Sequence, residues 1–209
     1  MTGSMRYSLL MFTVRRCARH GCAAPAFMEH DVCFAHLEDR NAALASLKAA
    51  LLPDTLVMNQ CFDGLELLAS DFSRCRFVGC TFRGVHLNHV LFTGSSFRLC
   101  FFDGSVFNSC DFSGCDMDFC SFGNSAIIDC SFENGEYIHV NFNGCNISEV
   151  TFTGSNLYDS RFLKTRLSYV RFDNCDLKKA YFIPDHEEAT TYTGSNAAEA
   201  VRDMEHLYL

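Results

Sequence analysis

The amino-acid sequence predicts a solenoid, a chain that turns a corner every five residues and stacks its coils around an apolar bore. Three observations predict it. An apolar residue stands at every fifth position without a break from Val57 to Phe182, 26 centres in all. Two positions before each centre the residue is small from Cys75 onward, with nine of the thirteen cysteines of the chain alternating there with Ser, Val, Thr, Gly and Ala. Neither regular element can use such a period: five residues turn a helical side chain through about 500°, and five along a strand move it to the opposite face. The chain must bend in every repeat, with the large and the small residue pointing inward and the other three outward.

Composition sets the outer limits. The 209 residues carry a net charge of −8 and are 48% hydrophobic, with 21 Phe and no Trp, too apolar and aromatic for a disordered chain. A net acidic chain lacks the basic footprint of a nucleic-acid binder, and no apolar run approaches the roughly 18 residues of a membrane span. We therefore expect a soluble, cytoplasmic protein with no direct nucleic-acid contact. The apolar stretch Tyr7 to Val14 is followed by Arg15-Arg16, not by a small-residue cleavage site, so it does not read as a secretory signal.

Before the array, three of the four remaining cysteines lie close together, as Cys17-x4-Cys22-x10-Cys33-x2-His36. Gly21 allows a tight turn before the second, and Cys33 and His36 are one helical turn apart. Three thiolates and an imidazole suit a structural, tetrahedral Zn²⁺ with no open position, and a segment with so few large apolar groups needs such a staple. His20 or His30 could replace His36 as the fourth ligand. Cys61 precedes a centre and should face outward. Residues 33–52 then place Phe34, Leu37, Leu44, Leu47 and Leu51 at near-helical spacing until Pro53, which predicts a capping helix.

Within the array, Ser70-Asp71-Phe72-Ser73, Cys110-Asp111-Phe112-Ser113-Gly114 and Ser155-Asn156-Leu157 resemble the unit of the pentapeptide-repeat family. The resemblance implies an all-β solenoid: a right-handed, four-sided β-helix of twenty-residue coils, here about 6.5 of them, forming a rod roughly 30 Å long at a strand spacing of about 4.8 Å. On that frame two opposite columns are all Phe, and Gly or Asn recurs two residues after them, residues that tolerate φ > 0 in a turn. The N-terminal cluster is similar to short Cys3His zinc modules that precede some such arrays.

Past Phe182 come Pro184 and an acidic loop. Then Ala197, Val201, Met204 and Tyr208 share a helical face, with Ser195 or Asn196 as the N-cap. This helix is either a lid over the bore or a homodimerisation element, since some family members pair through their C-terminal ends. The chain thus divides into 1–54, a zinc-binding module and capping helix; 55–183, the β-helix; and 184–209, a loop and C-terminal helix.

Charge is segregated along the array. Residues 99–160 hold nine acids and no Lys or Arg, and six of them, Asp111, Asp116, Asp118, Glu133, Glu136 and Asp159, map to two adjacent faces. A basic belt follows: Arg161, Lys164, Arg166, Arg171, Lys178 and Lys179. A Phe-filled bore leaves no pocket, and the array's His86, His89 and His139 form no catalytic constellation, so an enzyme is not expected. The reading is a non-catalytic protein-interaction scaffold with an unnamed protein partner. The family resemblance supplies an alternative, a DNA-mimic rod that binds or protects a type II topoisomerase such as DNA gyrase.

Overall fold

The computed structural model describes residues 15–203; the stretch Tyr7 to Val14 and the helical positions Met204 and Tyr208 lie outside the described residues. The period of five becomes four faces that repeat every twenty residues. The first face is a parallel sheet of Leu56–Met58, Arg76–Val78, Ser96–Arg98, Asp116–Asp118 and Glu136–Ile138, extended by single bridges to Asn156 and Asp176. The third is a seven-stranded parallel sheet from Glu66–Asp71 to His186–Glu188. Bridges from Cys61 through Thr81 and Asn141 to Arg161 mark the second face, and bridges from Leu91 through Asp111 and Thr151 to Thr191 mark the fourth. Register is uniform, each centre lying beside the one twenty residues on, as in Phe77↔Phe97 and Met117↔Tyr137.

Corners after the second and fourth faces are hydrogen-bonded β-turns, with Ser125 N donating to Phe122 O at 3.1 Å. Their third residue needs φ > 0, which Gly104 (67°) and Asn124 (58°) supply. The other two corners also take positive φ, but with ordinary side chains such as Phe119 (53°), His139 (56°) and Glu149 (57°). Such residues cost about 1 kcal/mol or more each and persist only where surroundings over-determine them. Here corner N–H groups are held by the next coil, as in His139 N to Tyr158 O at 3.2 Å and Glu149 N to Ser168 O at 3.0 Å.

Inside, rings stack along each Phe column and meet edge-on across the bore: Phe102 and Phe122 lie 4.6 Å apart at 8°, and Phe112 and Phe122 lie 5.9 Å apart at 88°. The small positions satisfy backbone groups between coils. Ser105 Oγ accepts from Val85 N at 3.1 Å and donates to Phe82 O at 2.9 Å, and Cys145 Sγ donates to Phe122 O at 2.9 Å. Gly135 has a different task. Tyr137 fills the bore beside it and donates to Phe112 O at 2.7 Å, and a Cβ on Gly135 would lie 2.5 Å from the tyrosine ring.

Both ends differ from the sequence reading. At the N-terminus the expected helix is split into a 3-10 turn, Phe34–His36, and a helix α1, Arg40–Ala50, because Asp39 accepts from Ala42 N at 2.8 Å and starts α1 anew. Leu47 of α1 is buried, but the ring that meets the first Phe is Phe27, edge-on to Phe62 at 6.3 Å. At the other end the coil runs past 183, and the described part of the expected C-terminal helix is a 3-10 turn at Ala197–Glu199 and a bridge from Tyr181 to Val201. The proposed N-cap residues are engaged in the ladder instead: Ser195 Oγ accepts from Cys175 N at 2.7 Å, and Asn196 Oδ1 from Leu177 N at 2.6 Å. The lid is Tyr192, stacked on Phe172 at 5.3 Å, with the Arg202 guanidinium 4.6 Å above its ring.

Two outcomes follow from this core. Gly135→Ala should cost about 1–3 kcal/mol by overpacking, measured by urea unfolding, and the cost should vanish in a Tyr137→Leu background; an equal cost in both would place its cause elsewhere. The neighbouring Cys120 thiol, and after it burial, pushes the Cys100 thiol up to about 12, and burial pushes Cys145 up to about 12 and Cys175 up to about 11, from 9.0. Thiols that stay neutral when folded contribute stability that is fully present below the unfolded pKa and is lost as pH rises from there through the folded one. Each should remove about 1.4 kcal/mol per pH unit above about 9, so the urea midpoint should fall steeply between pH 9 and 11 and stay flat from 7 to 8.

Candidate metal centre and charged faces

The N-terminal module is built from two turns and a bridge. Arg16 pairs antiparallel with Pro25, and Cys17 N donates to Ala24 O at 2.9 Å, so the strand carrying Cys17 folds back on itself. The turn between is closed by Cys22 N to Arg19 O at 3.1 Å, with Gly21 at φ 78°. Cys33 heads the 3-10 turn that brings His36 back over it, His36 N donating to Cys33 O at 2.9 Å.

These turns bring together Cys17, Cys22, Cys33 and His36, whose ligand atoms all lie within 4.8 Å of one another. His36 Nδ1 is 3.3 Å from Cys17 Sγ and 3.4 Å from Cys33 Sγ, and Cys22 Sγ is 3.9 Å from Cys33 Sγ. A tetrahedral ion with bonds of about 2.3 Å to sulfur and 2.0–2.1 Å to nitrogen needs S···S near 3.8 Å and S···N near 3.6 Å. The observed spacings fit that geometry and are far from a disulfide's roughly 2 Å. Burial pushes the Cys17 thiol up, but hydrogen bonds from the Cys33 and Arg19 backbone and from the His36 and Cys22 side chains outweigh it and bring it down to about 6. Burial raises Cys33. His20 and His30 are not in the cluster. Cys61 lies half-buried beside Thr81, apart from it.

The six acids singled out in the sequence fall on two adjacent faces. Asp116, Asp118 and Glu136 lie on the first, with Asp159 at its corner, and Asp111 and Glu133 lie on the fourth. Each has a partner. Arg98 grips Asp116 through two bonds of 2.9 and 2.7 Å. His139 sits between Asp118 at 3.0 Å and Asp159 at 3.7 Å. Glu136 accepts from Asn156 Nδ2, Asp111 from Thr93 Oγ1 and Glu133 from Thr151 Oγ1, at 2.8, 3.1 and 2.9 Å. The six cations of the belt encircle one coil, and none has a carboxylate within 4.0 Å among the described residues.

Sequence reasoning missed the corner between the first and second faces. There Phe119, 54% exposed, stacks on His139 at 4.5 Å and 12°, with Tyr158 edge-on to the imidazole at 6.4 Å and Lys179 5.4 Å over the Tyr158 ring. The signal was a column at twenty-residue spacing, Leu99, Phe119, His139, Asp159 and Lys179.

The repeating four-sided coil and its register define a class, the pentapeptide-repeat β-helices. A family profile described as pentapeptide repeat region matches residues 125–200, and one described as pentapeptide repeats (8 copies) matches 70–108 and 86–124. The chain belongs to the pentapeptide-repeat family. Among solved structures it is similar to HetL, a pentapeptide repeat protein involved in heterocyst differentiation regulation from Nostoc sp. strain PCC 7120, at 10% identity over 79% of this chain and 95% of that one, TM-score 0.38. It is also similar to a trypsin-treated form of QnrB1, a plasmid-mediated fluoroquinolone resistance protein, at 17% identity over 75% and 91%, TM-score 0.38. A third is Rfr23 from the cyanobacterium Cyanothece 51142, at 16% identity over 61% and 91%, TM-score 0.24. No curated protein matches the chain.

Proposed function

We propose that this protein is a non-catalytic, cytoplasmic protein-interaction scaffold whose N-terminal module holds a structural Zn²⁺. The filled bore carries the reading: rings stacked at about 5 Å along the array leave only the outer faces to meet a ligand. Thirteen free thiols suit a reducing compartment. Cys17, Cys22, Cys33 and His36 would hold the ion, which supplies a crosslink between the two turns and no reactive position. Elemental analysis should find about one zinc per chain, lost in Cys33→Ser; folded protein free of metal would overturn the site.

The acidic zone favours a second reading. Nine acids over three coils amount to one charge per roughly 1.7 Å of rod at a coil rise of about 4.8 Å, the charge spacing of B-DNA. That suits a DNA-mimic contact with a type II topoisomerase such as DNA gyrase, although Arg98 neutralises Asp116 and the basic belt ends the zone. Affinity capture with the full chain from its native host decides between them. A specific protein partner lost on Asp111→Asn with Glu133→Gln supports the scaffold; gyrase as that partner, with supercoiling altered by the purified protein, supports the mimic. Capture of no specific protein would sink both.

A further inference from the structure

We infer that the first face is a self-association surface on which a second copy of this chain lies antiparallel, face to face, across a two-fold axis between the coils of Ile138 and Tyr158. Two of the outward columns of this face change character along the rod: Arg98, Asp118, Ile138, Tyr158 and Lys178, and beside them the corner column Leu99, Phe119, His139, Asp159 and Lys179; the third is Ser96, Asp116, Glu136, Asn156 and Asp176. A two-fold axis perpendicular to the rod reverses each column against itself and keeps it on the same side.

With the axis at that height the oppositions nearest it in these two columns are complementary. Asp118 faces Lys178, Ile138 faces Tyr158, His139 faces Asp159, and the exposed ring of Phe119 faces Lys179. Further out Leu99 meets Glu199. A parallel two-fold would exchange the two sides of the face and set Asp118 on Asp116 and Ile138 on Glu136. In the third column Asp116 meets Asp176, and Asp116 is already paired with Arg98. Lys178 and Lys179 are exposed, with no carboxylate within 4.0 Å among the described residues. The aromatic and apolar groups Phe119, Ile138, His139 and Tyr158 lie at the centre and the charges at the rim, the arrangement of an interface core and its surround.

The contact is one face wide and about six coils, or about 29 Å, long, below the roughly 800 Å² per partner of a standard interface. The dimer is therefore a weak one, formed at high concentration and opened by salt. This surface does not depend on the partner proposed above, whose variants lie on the fourth face. Sedimentation velocity on the full chain, from low micromolar to submillimolar concentration, should show the mass rise from 23.5 kDa towards twice that at low salt and remain at 23.5 kDa at high salt. Lys178→Glu with Lys179→Glu should weaken association about tenfold or more, Asp118→Lys in that background should recover part of it, and Phe119→Ala should weaken it alone. A chain that stays monomeric at submillimolar concentration in low salt overturns the proposal, as does a dimer indifferent to the two lysine reversals.

Discussion

The rest of the structure depends on the width of the bore. Each side of a coil is five residues long, which leaves space for one large centre and one small residue and nothing more. Phe satisfies this best where rings can stack, as Phe142 on Phe162 at 4.8 Å and 12°, while rings from the opposite face close the gap edge-on, as Phe152 on Phe162 at 88°. Offset-stacked and edge-on pairs are the favoured aromatic geometries, so the packing that fills the volume is also the one the ring electrostatics prefer. The corners, the positive φ angles and the coil-to-coil hydrogen bonds follow from keeping four such sides closed.

A bore so filled has consequences at its small positions. Ser and Cys both fit, but a buried hydroxyl needs partners and a thiol scarcely does. The buried serines accordingly bridge coils in a repeated way: Ser155 accepts from Gly135 N at 3.0 Å, and Ser160 accepts from Val140 N at 3.1 Å and donates to Tyr137 O at 2.6 Å. Cysteines occupy equivalent places with weaker donors, over distances from 2.9 Å for Cys145 Sγ to Phe122 O to 3.6 Å for Cys100 Sγ to Phe77 O. Alternation between the two residues along the chain is therefore a size rule with two chemical solutions.

The middle of the fold was legible because its constraint is local: each centre from Val57 to Phe182 carries the same signal, and all of them are buried. The last coil was misread because Glu187 breaks the period and sits exposed beside Leu167. At the end of a rod a side is covered from one direction only, so its centre need not be apolar. Yet Thr193-Gly194-Ser195-Asn196 repeats Thr153-Gly154-Ser155-Asn156, and Ser195 does repeat the role of Ser155. The clustering of Cys17, Cys22, Cys33 and His36 was legible from donor type and spacing. Pairs such as Arg98 with Asp116 and Asp118 with His139 were not, because they join residues 18 and 21 apart and become neighbours only once the coil length is known.

The N-terminal module bears on the same constraint from the open end. The first ring of the array, Phe62, has no coil before it, and the residue that covers it is Phe27, held between the second and third cysteines of the cluster and packed on Phe34 at 5.2 Å. The loop that carries Phe27 also joins the ladder directly, Met28 N donating to Cys61 O at 2.9 Å. A crosslink at Cys22 and Cys33 would restrict the ten residues between them and so hold Phe27 in place without a large core of its own. The metal centre would then act on the solenoid as a plug, closing an apolar column whose far end is closed by Tyr192 and Arg202. The two plugs differ because the C-terminal coil can supply an aromatic ring in phase, whereas the chain before Val57 has no coil in which to place one.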